Sequence, residues 1–250
     1  MKLKSIDSGR LQVVYEDDDV IIINKPSGML SQKAVPEDIS ANEYILSYLI
    51  RKGALSEEQF KTFKPSICNR LDRNTEGLVL AAKDAATLRE LNRLIRENRI
   101  QKTYLCVLTA TPPKQTDILH AYHWKDTKTN TVTISDHPKA GYREIITEYR
   151  VLQQQNGLCL AEITLHTGRT HQIRAHMAHV HAPLAGDSKY GDRRKNESLH
   201  LKHQLLCAYQ LQFHPEADSC LAYLNGKTVT APLPDFVPRL FPTFSSKNRK

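Results

Sequence analysis

An α+β fold, with a mostly antiparallel or mixed β-sheet core and flanking helices, is the class this sequence predicts, and three observations predict it. Strand-like segments follow one another in runs instead of alternating regularly with helices. Turn chemistry such as Gln154-Gln155-Asn156-Gly157 separates neighbouring strand-like segments, as in a hairpin. A chain of 250 residues with 40% hydrophobic content can bury one sizeable core, and no repeat, low-complexity tract or linker marks a second domain.

Taken in order, Leu11–Tyr15 and Val20–Asn24 read as two strands joined by the acidic turn Glu16–Asp19, and the isoleucine run of the second suggests burial on both faces. Ser40–Arg51 carries apolar residues at helical spacing (Ile45, Leu46, Leu49, Ile50) behind a Ser40 cap, and Gly53 ends it. The run Leu78–Ala82 is a strand. Asp84 then caps a helix whose apolar stripe is Leu88, Leu91, Leu94 and Ile95, while Arg89, Arg93, Arg96 and Arg99 form either a solvated face or a binding one. Strands are expected at Ile100–Thr109, Ile118–Trp124, Asn130–Ser135, Arg143–Leu152, Leu158–Leu165, Cys207–Phe213 and Ser219–Leu224. Between them, Thr170 is a credible cap for a helix containing Ile173, Met177 and Val180.

The formal charge of +8, from 35 Lys and Arg against 27 Asp and Glu, favours an anionic partner. Five cysteines (Cys68, Cys106, Cys159, Cys207, Cys220) are scattered singly, which fits a reducing cytoplasm, and no apolar run reaches bilayer length. The chain is therefore expected to be cytoplasmic, with no membrane partner and a monomer by default.

Chemistry concentrates in two stretches. Asn69-Arg70-Leu71-Asp72-Arg73-Asn74-Thr75-Glu76-Gly77-Leu78 sets a carboxylate, Asp72, between two arginines. Guanidinium neighbours favour the ionised form of an acid, so the segment alone allows a structural ion pair or a catalytic carboxylate beside a polyanion. In His166-Thr167-Gly168-Arg169-Thr170-His171-Gln172-Ile173-Arg174-Ala175-His176-Met177, basic and amide side chains crowd a glycine turn at a helix start, a pattern suited to phosphate.

Together and in this order these stretches resemble the motifs of the RluA/RluD-type pseudouridine synthases. Their usual patterns are close to His-Arg-Leu-Asp-x-x-Thr-Ser-Gly and Thr-Gly-Arg-Thr-His-Gln-Ile-Arg-x-His, and the likeness runs from about Val14-Tyr15-Glu16-Asp17-Asp18 and Asn24-Lys25-Pro26-Ser27-Gly28 to Ala231-Pro232-Leu233-Pro234. The resemblance implies a pseudouridine synthase fold with an active-site cleft across the sheet. It also implies isomerisation of uridine in structured RNA without a cofactor, with large-subunit ribosomal RNA as the leading substrate and transfer RNA as the alternative. It assigns the essential carboxylate to Asp72, which either attacks C1′ or removes a proton from C2′, and an arginine partner to Arg174. Arg174 taken singly is equally a surface salt bridge or phosphate contact. Tyr104, in Gln101-Lys102-Thr103-Tyr104-Leu105, matches the active-site tyrosine that stacks on uracil and is a candidate for removing the C5 proton.

By the same resemblance Arg70 occupies space near the displaced nucleotide. Arg169, Thr170, His171 and Gln172 are candidate RNA contacts, Lys25 and Lys189 are weaker ones, and Lys102 contacts RNA or pairs with an acid. Asn69 stands where histidine is frequent, and Asn74-Thr75-Glu76 replaces the commoner Asp-Thr-Ser, a variant resembling a sister group of the same enzymes. The implied organisation is an extension at 1–10, one catalytic domain at 11–243 and a basic tail at 244–250, without the small N-terminal RNA-binding domain of many members.

Two other function classes compete. His171, His176, His179 and His181 cluster in one segment, yet they lie at mixed helical phases without an H-E-x-x-H spacing or a cysteine pair, so no metal site is expected. A non-catalytic RNA-binding module would account for the charge and the Gly168 turn, but not for Asp72, Tyr104 and Arg174 occurring together.

Overall fold

The computed structural model describes residue 6 and residues 11–245, so the expected extension at 1–10 and most of the basic tail lie outside the described residues. The chain divides into two compact units, Met1–Ile100 with Gln210–Pro232, and Gln101–Tyr209 with Leu233–Lys250. Each contains antiparallel sheet and a few helices, the α+β class expected.

In the first unit, β1 (Gln12–Glu16) pairs with β2 (Val20–Lys25), and β2 pairs with β4 (Glu76–Ala82), from Val20 opposite Ala82 to Lys25 opposite Gly77. β3 (Ser66–Ile67) lies along the same end of β4. Val20–Ile23, as the isoleucine run predicts, and Leu78–Ala82 are almost fully buried, and each such Val, Leu or Ile side chain stabilises the fold by about 1.5–3 kcal/mol. α1 (Ala41–Arg51) starts at Ser40, whose N–H and hydroxyl both donate to the Glu43 carboxylate. α3 (Ala85–Arg96) starts at Asp84, which accepts from the N–H groups of Ala86 and Thr87 at 2.8 and 3.0 Å. Of its arginine stripe, Arg93 is engaged by Glu90, Glu97 and Glu216, and Arg99 by Glu216, so these two belong to an ion-pair network.

The second unit is built on the strand order β5-β9-β8-β6-β7, with β5 at Ile100–Leu108, β6 at Thr116–Asp126, β7 at Thr131–Ser135, β8 at Arg143–Gln155 and β9 at Leu158–Leu165. The β8–β9 turn is Asn156-Gly157, both with positive φ (51° and 73°), the conformation that suits a two-residue hairpin and that glycine adopts without a Cβ clash. α4 (Gln172–His179) packs against β7 and β8. β10 (Leu206–Phe213) is shared between the units, and its first-unit half pairs with β11 (Thr228–Thr230), Gln210 opposite Thr230.

Two local expectations are corrected. Ser219–Leu224 is not a strand but leads into a 3-10 turn at Ala222–Leu224, with i to i+3 bonds such as Ala222 N–H to Ser219 O and Leu224 N–H to Leu221 O. Leu221 and Leu224, three apart, are both fully buried, and that spacing outweighs the apparent alternation. The cap of α4 is His171, at φ 52°, not Thr170. The Thr170 carbonyl instead accepts from His123 Nε2 at 2.9 Å.

Candidate active site

In the first unit the Asp72 loop, residues 68–75, is fastened by a set of side-chain and main-chain hydrogen bonds. Asn69 is a peg: its Oδ1 accepts from Leu80 N–H at 2.8 Å and its Nδ2 donates to Leu78 O at 3.2 Å. An amide makes both bonds with β4 through one side chain, so asparagine where histidine is frequent is a workable substitution. Ser31 and Leu71 exchange two hydrogen bonds (3.0 and 2.8 Å), and Gly28 and Arg73 exchange two more (2.9 and 3.1 Å). Thr75 N–H closes a turn on Asp72 O at 3.0 Å.

Lys25 completes this fastening. It is fully buried, and its ammonium donates to the carbonyls of Pro26, Met29 and Arg73 at 3.0, 2.9 and 3.1 Å. Burial pushes the ammonium down to about 8, against the opposing pull of Asp72 and Glu76. The expectation of an RNA contact is therefore replaced by a positioning role, tying the Asn-Lys-Pro segment to the loop that bears Asp72. Asp72 is half-buried and Arg70 is exposed.

In the second unit Lys102 and Tyr104 lie two apart on β5, opposite Leu165 and Ile163, and so share one face of the sheet. Both are buried. Arg174, on the first turns of α4, is buried and held by Asp187, with Nε and Nη2 donating to its two oxygens at 2.6 and 3.0 Å. Burial would raise the Asp187 carboxyl, but Arg174 and the N–H groups of Lys189 and Tyr190 outweigh it and hold it below the usual range. The Tyr190 ring lies 5.3 Å from the guanidinium carbon, and its hydroxyl accepts from Val132 N–H at 2.8 Å and lies 2.9 Å from His171 Nδ1. Sequence reasoning missed Asp187 and Tyr190, although both stand in the Gly-Asp-Ser-Lys-Tyr-Gly segment that supplied Lys189.

Glycine is required in that segment. A Cβ on Gly186, at φ 79°, would fall 2.0 Å from His203 O, and one on Gly191 would fall 2.3 Å from Asp187 O.

The remaining candidates divide. Arg169 is exposed, and exposed Lys189 donates to Asn130 O at 2.8 Å. Gln172 is buried and used internally. Its Oε1 accepts from Thr167 Oγ1 and Arg169 N–H, both at 3.0 Å, and its Nε2 donates to Ile146 O and Thr147 Oγ1 at 3.1 and 3.0 Å. This corrects its assignment to RNA: it is the peg that shapes the Gly168–His171 turn. Three of the four clustered histidines have protein partners: His171 with Tyr190, His176 with Thr147 and His179 with Asp136. No group suited to hold a metal ion occurs among the described residues.

His176 Nδ1 lies 2.9 Å from Thr147 Oγ1 in the core, and burial, then the charge of His179, pushes it down to about 4. With the folded value below that of the unfolded chain, the resulting stability is full above pH ~6.5 and is lost as pH falls towards 4, up to about 3 kcal/mol. Urea midpoints measured from pH 7 to 4 should show this loss, and a His176→Gln variant should show a shallower one. Identical slopes would remove His176 as the cause.

The family pattern described as RNA pseudouridylate synthase matches residues 19–179, which contain Asp72, Tyr104 and Arg174. The chain belongs to the RNA pseudouridylate synthase family. Among its relatives, "Ribosomal large subunit pseudouridine synthase D" of Borreliella burgdorferi is 31% identical over 86% of this chain and 64% of its own length. "Ribosomal large subunit pseudouridine synthase C" of Rickettsia conorii is 35% identical over 72% of this chain and 56% of its own length. The chain thus spans less than two thirds of either relative. In fold, this family member superposes on the solved structure of "Human RNA Pseudouridylate Synthase Domain Containing 1" with a TM-score of 0.71, at 21% identity over 96% of this chain and 90% of that one.

Proposed function

We propose that the protein isomerises uridine to pseudouridine in structured RNA, with large-subunit ribosomal RNA as the leading substrate and transfer RNA as the second. The observation that carries this reading is that the family match spans the Asp72 loop, the β5 tyrosine and the α4 arginine within one segment. The names of the two relatives favour ribosomal RNA, and their differing letters leave the target uridine to experiment.

The reaction breaks the N1–C1′ bond, turns the uracil over, joins C5 to C1′ and moves the C5 proton away, N1 ending protonated. It changes no oxidation state and consumes no phosphate bond, so it asks the protein for a carboxylate, a proton acceptor and a pocket. Asp72 supplies the carboxylate, either as nucleophile at C1′ or as the base that takes the C2′ proton to form a glycal. The rigid fastening of its loop suits either role, because a carboxylate on a floppy turn forfeits its orientation. Tyr104 stacks on uracil and receives the C5 proton, and Arg174, its orientation fixed by Asp187, partners the catalytic acid.

Base flipping costs a few kcal/mol of lost stacking, which exposed Arg70 offsets by filling the vacated space. Arg169, Thr170, His171 and Lys189 contact the RNA backbone. No helix among the described residues is long and apolar enough to cross a membrane. The five free thiols and an RNA substrate support action in the cytoplasm, and a monomer is the default state.

The test is incubation of the intact chain with unmodified ribosomal and transfer RNA transcripts, followed by carbodiimide treatment and reverse transcription. New stops at discrete uridines are expected on one of them. An absence of stops on every RNA would sink the enzymatic reading in favour of a non-catalytic RNA-binding module.

A further inference from the structure

Two lysines are buried among the described residues, and their surroundings are opposite. Lys25 has three carbonyl acceptors around its ammonium. The ammonium of Lys102, a residue nine-tenths buried, has no hydrogen-bond or ion-pair partner among the described residues. An unpaired buried cation costs stability, and a sequence that retains one needs a compensating use for it.

The direction in which Lys102 points identifies that use. Its Nζ lies 3.6 Å from where a Cβ would stand on Gly168. Gly168 and Arg169 are exposed, so the ammonium lies just inside a solvent-accessible turn. That turn leads into α4, whose N-terminal dipole end favours negative charge. The amides of Gly168 and Thr170 have no acceptor among the described residues either. Gln172 holds the turn in shape by accepting from Arg169 N–H.

We infer that Lys102, the Gly168–Thr170 turn and the start of α4 form a phosphate subsite that takes a backbone phosphate of the RNA, with Lys102 as its buried floor. The inference rests on the proposed RNA substrate and narrows it to one anionic contact. Glycine at 168 keeps the approach to the ammonium open, and exposed Arg169 supplies a second cation at the rim. Burial lowers the basicity of Lys102 when the site is empty, and an incoming phosphate restores it. Binding in this subsite is thus coupled to proton uptake on the alkaline side.

The probe is inorganic phosphate, titrated against chloride at equal ionic strength. Wild-type protein should show phosphate-dependent amide shifts at Gly168 and Thr170 and a rising melting temperature. Lys102→Met should lose both responses while itself melting higher than wild type, since an apolar side chain of similar length replaces an unpaired charge. Lys102→Arg should keep the amide shifts, and Lys102→Gln substitutes for the methionine variant if that variant fails to fold. With a ribosomal RNA transcript, the neutral variant should lower the slope of log affinity against log salt by roughly 0.7–0.9, one phosphate contact. Equal phosphate responses in wild type and the neutral variant, or none in wild type, would overturn the subsite. The phosphate arm needs no turnover, so a protein that binds phosphate but makes no pseudouridine would refute the enzymatic reading and leave the subsite standing.

Discussion

Replacing Asp72 with asparagine is expected to lower turnover by about 10⁴-fold or more while leaving RNA affinity within a few-fold of wild type. The geometry of its loop makes this a clean test. The bonds that hold the loop use the Leu71, Arg73 and Asn74 carbonyls, the Asp72 carbonyl, and the side chains of Lys25, Ser27, Ser31 and Asn69. Asparagine preserves every one of these and the side-chain shape, and it removes the charge and the basic oxygen that attack or proton abstraction needs. The measurement is single-turnover conversion of a substrate RNA, beside a filter-binding isotherm and a thermal melt. Conversion at the wild-type rate would remove Asp72 from the chemistry, and joint loss of binding and melting temperature would make its part structural.

Legibility from sequence followed the physics of each element. β2, the β8–β9 hairpin, α1 and α3 were readable because each combines a run or period with chemistry that acts within three or four residues: the isoleucines, Asn156-Gly157, Ser40 with Glu43, and Asp84. The short elements were not. α2 (Glu57–Thr62), α5 (Arg193–Ser198) and α6 (Phe236–Leu240) complete too few turns to establish a period, and β3 and β11 span two and three residues. For the candidate site, residue identity was legible and partnership was not. Lys25 and Gln172 are polar residues in basic, polar motifs, and only the fold shows that their hydrogen-bonding capacity is spent indoors. Lys102 has the same composition-level signature as Lys25, yet the fold leaves it unpaired among the described residues.

The partner of Arg174 illustrates the same limit and gives the second large effect. Asp187 lies thirteen residues further on, past the end of α4 and an irregular loop, so no periodicity connects the two. Their contact is nevertheless bidentate and buried, with side-chain exposures of 9% and 0%. Asp187→Ala would remove the buried carboxylate that accepts from the Arg174 guanidinium and from the N–H groups of Lys189 and Tyr190, at a cost of about 3–5 kcal/mol. Asp187→Asn separates folding from function, because an amide oxygen still accepts from those N–H groups while the charge opposite Arg174 is gone. Because its folded pKa is depressed, the wild-type carboxylate contributes its full stability above the unfolded value near ~3.9 and loses it only in stronger acid, below the window in which His176 titrates. At neutral pH the asparagine variant should therefore melt closer to wild type than the alanine variant, yet lose about 10²-fold or more in kcat with little change in KM, the signature of an arginine no longer aimed at the transition state. A wild-type kcat in Asp187→Asn would show that Arg174 keeps its orientation without the charge of Asp187.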